Sequence, residues 1–335
     1  MQQRHFNIPI FIPHAACPHK CIFCDQKSIS GAVKSPSLQE IRSVIESHLA
    51  TIPGCSNIEI AFFGGNFTGI PAYIQEQYLQ AVSEYISSGN ISGIRISTRP
   101  DYINNDILLF LKKYNVSAIE LGVQSTDGEV LGKSGRGHNA EDIFCAARLI
   151  REAGIELGMQ MMIGLPGDTY DKSIKTAEAI IALKAVTVRV YPALVIKGTE
   201  LEEQYNDGKY NPLPLEQAVS WCADILQMFE KNGINVIKMG LHPSEGFLSG
   251  ELLTAGPFHV SFRELVVSEI WRRLLLDIHK KKESRQLVLH VSPAELNYAV
   301  GYHSSNKKML MEKFKSVKFK PDPLLKGRIY NAECS

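Results

Sequence analysis

From residue 6 to residue 196 the sequence alternates short β-rich runs with longer amphipathic ones. This rhythm limits the fold more than any other feature. The β-rich runs are FNIPIFI, NIEIAFFGG, GIRISTRP, SAIELGVQS, IELGMQMMIGLPG and AVTVRVYPALVI, and helical spacing follows each but the last, from LQEIRSVIESHLA to TYDKSIKTAEAIIAL. The punctuation agrees: Ser35-Pro36-Ser37 opens the first helix, and Gly89 and Gly154 end two others. Strands joined through helical crossovers form a parallel sheet. Six units fall short of the eight that close a barrel, so the chain is expected to be α/β, as a partial (βα)6 parallel barrel or an open wound sheet. Both architectures collect functional groups at the C-terminal ends of their strands. The odd polar residues and glycines of GG, STRP, GVQS, GLPGD and YPALVIKGT all fall at such ends. Beyond about residue 200 the rhythm changes to helix, strand, long helix and strand. Residues 1–240 are expected to form the barrel, and residues 241–335 a smaller, basic α/β extension packed on it.

The loop after the first strand, HAACPHKCIFCDQ, carries Cys17, Cys21 and Cys24 at spacings of x3 and x2. Three thiolates are one short of a closed tetrahedral site. His14 or His19 could complete a zinc site. An iron–sulfur cluster, for which four thiolates are the norm, would instead leave one iron open to a non-protein ligand. With seven cysteines, an odd number with three clustered, a metal or catalytic role is favoured over a disulfide framework. Cys55 stands alone, and Cys145, Cys222 and Cys334 read as small isolated hydrophobes. The N-terminal apolar run is broken by Pro9 and Pro13, a poor signal peptide. No run approaches the ~20 apolar residues of a bilayer span. A cytoplasmic protein with no membrane contact is expected.

The net charge of +1 conceals an uneven spread. Residues 1–271 carry 22 Lys and Arg against 29 Asp and Glu, a net −7, while residues 272–328 carry 14 against 5, a net +9. A basic tail on an acidic body suits a polyanion. A solvated lysine face explains it equally.

The Cys-x3-Cys-x2-Cys trio on a loop after the first strand, with the aromatic Phe23 before its last cysteine, resembles the signature of the radical S-adenosylmethionine (radical SAM) superfamily. The resemblance implies that Cys17, Cys21 and Cys24 hold a [4Fe-4S] cluster whose open iron chelates the amine and carboxylate of SAM. It implies a partial barrel of radical SAM type, one-electron reduction by a reduced flavodoxin or ferredoxin, and cleavage of SAM to methionine and a 5′-deoxyadenosyl radical that abstracts hydrogen from a substrate. Phe23 would lie near the adenine. Gly64 and Gly65 in FFGGNFTG would let backbone approach the methionine amine, with Asn66 as a polar contact. Gln124 would meet a ribose hydroxyl, and Arg136 the methionine carboxylate through its planar fork. Gln160 and Ile163 would contact ribose and adenine. Tyr191 and Lys197 are rim candidates for substrate or SAM, and would act in catalysis. The segments STRPD, IELGVQS, SGRGH, YPALVIKGT and LEEQYNDGKYNP narrow the likeness to the radical SAM module of the Elongator catalytic subunit, an enzyme of the tRNA wobble uridine. The chain departs from that enzyme after residue 215, where no Arg/Gln-x-x-Gly-x-Gly/Ala loop for a CoA pyrophosphate occurs.

Strand periodicity adds an argument that needs no family. Side chains alternate faces along a strand. Arg95, Ser97 and Arg99 therefore share one face, as do Glu120 and Gln124, and Arg189 and Tyr191; Gln160 takes the matching face of the fifth strand. The opposite faces are Ile, Val, Leu and Met. A lumen this polar is unusual for a barrel. Either it is shaped around SAM and a polar substrate, or its charges pair among themselves. Three functions stay open at this point: a radical SAM enzyme acting on tRNA or other RNA, one acting on a small metabolite as the oxygen-independent coproporphyrinogen oxidases do, and a non-enzymatic iron–sulfur or zinc protein that binds RNA.

Overall fold

The computed structural model describes residues 5–12, 17, 21–25, 34–53, 56–241, 245–279 and 284–334. His14, His19 and Cys55 lie outside the described residues. Two compact units are present: Met1–Pro214 with Met228–Pro257, and Leu215–Gln227 with Phe258–Ser335.

In the first unit the strands β1 (His5–Ile12), β2 (Asn57–Gly64), β3 (Gly93–Thr98), β4 (Val116–Gln124), β5 (Glu156–Ile163) and β6 (Thr187–Pro192) alternate with helices α1 (Leu38–Leu49), α2 (Ala72–Ser87), α3 (Asn105–Lys113), α4 (Gly128–Lys133), α5 (Ala140–Glu152) and α6 (Tyr170–Ala182). Six strands lie in sequence order in one parallel sheet, as the rhythm predicts. The antiparallel pair β7 (Val195–Ile196) and β9 (Leu253–Ala255), helix α7 (Glu200–Asn206), and helix α8 (Leu215–Lys231), which runs through the unit boundary, complete this region with β8 (Asn235–Met239). Strand β8 lies beside β6 as the seventh parallel strand of the partial barrel. The change of rhythm after residue 200 sets it apart from the six repeating units, but its pairing covers an edge that β6 would otherwise leave open.

Local signals set the helix starts. Ser37 and Glu40 form a capping box for α1, and Asn139 and Asp142 one for α5. Apolar residues at helical spacing point one face inward: Ile41 and Ile45 of α1, Leu108 and Leu111 of α3, Ile143, Ala147 and Ile150 of α5 are 2% exposed or less. Burying each large side chain contributes about 1.5–3 kcal/mol. The short α4 and α7 and strand β9 carry too few residues for a period to show, and are not legible in the sequence.

The second unit holds α10 (Phe262–His279), β10 (Ser284–Val291), α11 (Leu296–Val300), α12 (Ser305–Met311), β11 (Phe314–Pro321) and β12 (Tyr330–Cys334); the four-residue α9 (Glu245–Leu248) precedes it in the first unit. Its sheet runs β11-β10-β12, with β10 parallel to β11 and antiparallel to β12. Trp271, Leu275, Leu287, Leu289, Val291 and Phe314 form its core, each 1% exposed or less. Arg273 reaches Asp224 at 2.6 Å and Glu269 at 2.8 Å. Outside residues 280–283, which lie beyond the described residues, the basic tail is therefore folded structure. Lys315, Lys318 and Lys320 stand exposed on the edge strand β11, where lysines also discourage edge-to-edge pairing. Among the described residues no helix is long and apolar enough to cross a membrane.

Candidate functional site

The cysteine loop sits on the C-terminal rim of the sheet, just after β1. Apolar packing and backbone bonds both hold it. Cys21, Ile22 and Phe23 are buried in one cluster with Val130, Leu165, Ala193, Val195, Leu201 and Tyr210. The Ile22 amide donates to the Ser134 carbonyl at 3.2 Å, and the Leu201 amide donates to the Ile22 carbonyl at 2.9 Å. The loop is thus clamped between the end of α4 and the start of α7. A turn closes Cys24 onto Cys21, amide to carbonyl, at 3.1 Å.

The thiols share one electrostatic environment. Burial pushes the Cys17 thiol up, and the neighbouring Cys21 adds to this, while Arg99 and Arg136 pull the other way. Burial likewise drives Cys24 up to about 12, with Cys21 contributing and Arg136 opposing. Without a metal these two thiols stay protonated, so binding one would release protons. Arg136 is buried, and its Nη1 donates to Cys21 Sγ at 3.1 Å while Nη2 donates to the Gly122 carbonyl. Among the described residues no three His, Cys, Asp or Glu side chains converge on a single metal ion. Three cysteines with two guanidiniums beside them fit a larger anionic cluster, whose sulfurs take hydrogen bonds from such donors.

A second set of contacts braces this rim. Gly64 has φ +107°, and a Cβ there would collide with the Ile12 carbonyl, which accepts from the Gly65 amide at 2.9 Å. Only glycine permits β1 and β2 to meet this closely next to the cysteine loop. The carboxamide oxygen of Asn66, fully buried, accepts from Thr98 Oγ1 at 2.6 Å, the Arg99 amide at 3.2 Å and Thr68 Oγ1 at 3.3 Å. Asn66 thereby ties the β2 loop to the end of β3. Arg99 binds both oxygens of Asp101, at 2.9 and 3.0 Å, and donates from Nη2 to the Arg136 carbonyl at 2.6 Å. His138 packs beside this pair. Burial, with Arg136 and Arg99, holds its imidazole down at about 3, so its 4.0 Å approach to Asp101 is a contact of a neutral ring.

Gln124 ends β4 with φ +66°, a left-handed conformation that is costly away from glycine and that turns the side chain at a bulge in the β4–β5 register. Its Oε1 accepts from Gln160 Nε2 at 3.3 Å. Such strain is retained where the surroundings over-determine it, most often at functional positions.

The polar face of the strands points into the lumen, in two tiers. In the lower tier the charges pair. Arg95 holds Glu59 at 3.0 Å and Glu156 at 2.9 Å and faces Glu120 at 3.6 Å, while Arg189 binds both oxygens of Glu120 at 2.7 and 3.2 Å. Gly158 makes room for this, since a Cβ there would press on Glu120. Burial works against the Arg189 charge, but Glu120 outweighs it and raises the guanidinium's pKa. In the upper tier lies a cavity of about 590 Å³, lined by Phe23, Cys24, Gly64, Ser97, Gln160, Met162, Tyr191 and Lys238 among others. This volume is in the range of small-molecule and cofactor sites.

The structure thus brings Cys24, Phe23, Gly64, Gln160 and Tyr191 together around one cavity. Gln124 bonds to Gln160 and Arg136 to Cys21, but Gln124, Arg136, Cys17 and Cys21 do not line the cavity. Burial raises the Tyr191 phenol, with Arg189 opposing. Ile163 is fully buried at the end of β5, where its carbonyl accepts from the Ala193 amide, and does not line the cavity. Lys197 is exposed and lines neither this cavity nor the second one, of about 710 Å³, beside the GLPGD loop. Sequence reasoning passes over His138 and Lys238. His138 is the last residue of the SGRGH segment, and Lys238 faces inward only because β8 joins the sheet.

Comparison with known proteins follows the same lines. The radical SAM superfamily profile matches residues 11–180, and that of the radical SAM C-terminal domain residues 186–272. An uncharacterised protein of Methanocaldococcus jannaschii is 32% identical over 240 residues, 68% of this chain and 72% of that one. The tRNA uridine(34) acetyltransferase of Methanocaldococcus infernus is 27% identical over 253 residues, 63% of this chain and 47% of that protein. The heme chaperone HemW of Bacillus subtilis is 25% identical over 263 residues, 76% of this chain and 66% of that protein. The solved structure of Methanocaldococcus infernus Elp3 shares the fold, with a TM-score of 0.64 at 21% identity over 82% of this chain and 64% of that one. The chain therefore spans less than half of the acetyltransferase it matches. With the family profile covering half of its length and the cysteine loop, glycine pair and strand rim in place, the chain belongs to the radical SAM superfamily of enzymes.

Proposed function

We propose that this protein is a radical SAM enzyme that modifies RNA, with tRNA as the substrate class. The observation that carries the radical chemistry is the cysteine trio, clamped on the β1 rim against Arg136 and opening on the lumen cavity. When bound, a [4Fe-4S] cluster with SAM at its open iron supplies reductive cleavage of SAM to methionine and a 5′-deoxyadenosyl radical. Cys17, Cys21 and Cys24 would hold the cluster. Arg136 and Arg99 offset its negative charge, and the Arg136 contact orients Cys21. Phe23, Gly64 and Gln160 offer the adenosine an aromatic face, open backbone and an amide, and Gln124 holds the Gln160 amide in place. The apolar cluster beneath the loop keeps water from the reacting centre. A cytoplasmic setting keeps the thiols reduced and provides the flavodoxin or ferredoxin electron donor.

RNA is favoured over a metabolite by the tRNA uridine(34) acetyltransferases among the relatives and by the exposed lysines of β11. The relevant experiment is anaerobic reconstitution with iron and sulfide, then dithionite and SAM, with 5′-deoxyadenosine quantified. Wild type should form it and Cys21→Ala should not. Stimulation by bulk tRNA supports the RNA reading; stimulation only by a metabolite extract would move the protein to the small-molecule reading. No deoxyadenosine from a cluster-loaded protein would end both.

A further inference from the structure

Arg136 is the centre of the SGRGH segment and Arg99 that of STRPD. Both side chains are buried, at 6% and 4% exposed. Pro100 keeps Arg99 extended, with φ −84° and ψ 148°, and begins the short turn that brings Asp101 back onto it. Arg99 therefore has its counter-ion within its own segment. Arg136 does not: among the described residues no carboxylate pairs with it. Its Nη1 donates to Cys21 Sγ at 3.1 Å and its Nη2 to the Gly122 carbonyl, while its Nε, like Arg99 Nη1, meets no acceptor among the described residues. A buried cation held only by a sulfur and a carbonyl lacks the compensation that an anion beside it supplies. The group already bonded to it that can carry negative charge is the Cys21 sulfur, as a thiolate on iron. The sequence resemblance sets this guanidinium on the methionine carboxylate of SAM instead. A carboxylate takes two parallel N–H bonds from the fork, but here both terminal nitrogens are engaged by the protein, and Arg99 Nη2 fixes the segment by donating to the Arg136 carbonyl at 2.6 Å.

We propose that Arg136 is a positioning residue of the metal centre: aimed by Arg99, it donates to the Cys21 thiolate and raises the reduction potential of the [4Fe-4S] cluster. This rests on the cluster of the proposed function. The cluster gains negative charge on reduction, so a buried cation and an N–H bond to a ligand sulfur favour the reduced form. Asp101 acts with the opposite sign. The charges of Asp101, Arg99 and Arg136 all reach the Cys17 thiol, which the carboxylate pushes up and the guanidiniums pull down.

The test is a redox titration of the reconstituted protein without SAM, with the electron paramagnetic resonance signal of the reduced cluster read at fixed potentials in preparations matched for iron content. At the wild-type midpoint the ratio of reduced to oxidised cluster should fall about tenfold in Arg136→Met, a shift of about 59 mV to lower potential, as for loss of a charged hydrogen bond. Arg99→Met should shift the ratio in the same direction, Arg136→Lys should recover part of it, and Asp101→Asn should shift it the other way. An unchanged potential in Arg136→Met would overturn the proposal; loss of SAM binding by that variant in equilibrium dialysis would then return the guanidinium to the methionine carboxylate. Shifts of the same sign in Arg136→Met and Asp101→Asn would also overturn it, because they mark a general disturbance of the loop and not an effect of charge. If Arg136→Met takes up too little iron to titrate, Asp101→Asn decides alone, and a potential that stays or falls in it ends the proposal. Deoxyadenosine formation by wild type, on adding SAM and reductant, reports on the radical reaction separately. A cluster that titrates as expected yet cleaves no SAM would leave this proposal standing and end the proposed function.

Discussion

Arg95 shows how one residue can serve the lumen without touching a ligand. It is 4% exposed, and three carboxylates, Glu59, Glu120 and Glu156, gather around it. Breaking a buried ion pair from one side leaves uncompensated charge, which costs more than the intact pair contributes. Arg95→Met should lower stability by about 3–5 kcal/mol, read as a drop in the urea midpoint. His138 makes a prediction about pH. Its imidazole stays neutral in the fold down to about 3, whereas the unfolded chain takes up that proton near the ordinary histidine value of 6.5. Between these values the unfolded state binds more protons, so stability falls as the pH drops through this window, by up to about 1.4 kcal/mol per pH unit. Denaturation of His138→Asn between pH 7 and pH 4 should show a shallower slope than wild type. Equal slopes would place the ring in a wetter setting than the one described.

At the scale of elements, the rim depends on how closely β1 and β2 approach. Gly64 is the residue that permits it, since φ +107° is closed to other side chains and the Ile12 carbonyl fills the space a Cβ needs. Gly64→Ala should destabilise the protein by about 1–3 kcal/mol. It should also reduce the iron bound on reconstitution, because the cysteine loop leaves β1 at this point. A variant that loses stability yet binds its full iron would show that the loop is positioned by its apolar cluster alone.

For the whole molecule, the described part of residues 272–328, a segment of net charge +9, is folded, with β10 and β11 in one sheet and α10 and α12 in the same unit. Deleting residues 280–328 would remove that sheet, so it cannot test RNA binding cleanly. Replacing Lys315, Lys318 and Lys320 with Gln should leave stability within about 0.5 kcal/mol per site, as for exposed positions. If β11 meets RNA, tRNA affinity should fall, and the dependence of log K on log salt should flatten by about 0.7–0.9 for each phosphate that a lysine no longer neutralises. An unchanged slope would leave these lysines the plainer task of protecting a sheet edge.

The sequence by itself determined the parallel α/β architecture, because helical and strand periods are local and each unit carries its own caps and glycines. It determined the cysteine trio as well, since three ligands within eight residues need no folding to be seen together. It also placed Arg95, Glu120, Gln160, Arg189 and Tyr191 on inward faces, through a period of two that survives in any parallel sheet. The tertiary structure decided what those residues face. Arg95 and Arg189 turned to neighbouring carboxylates, Asn66 became a tie between β2 and β3, and Arg136 reached a cysteine sulfur, because each partner lies 32 to 115 residues away in the chain. Lys238 entered the lumen only when β8 paired with β6, a choice made by an open strand edge and not by any residue of β8 alone.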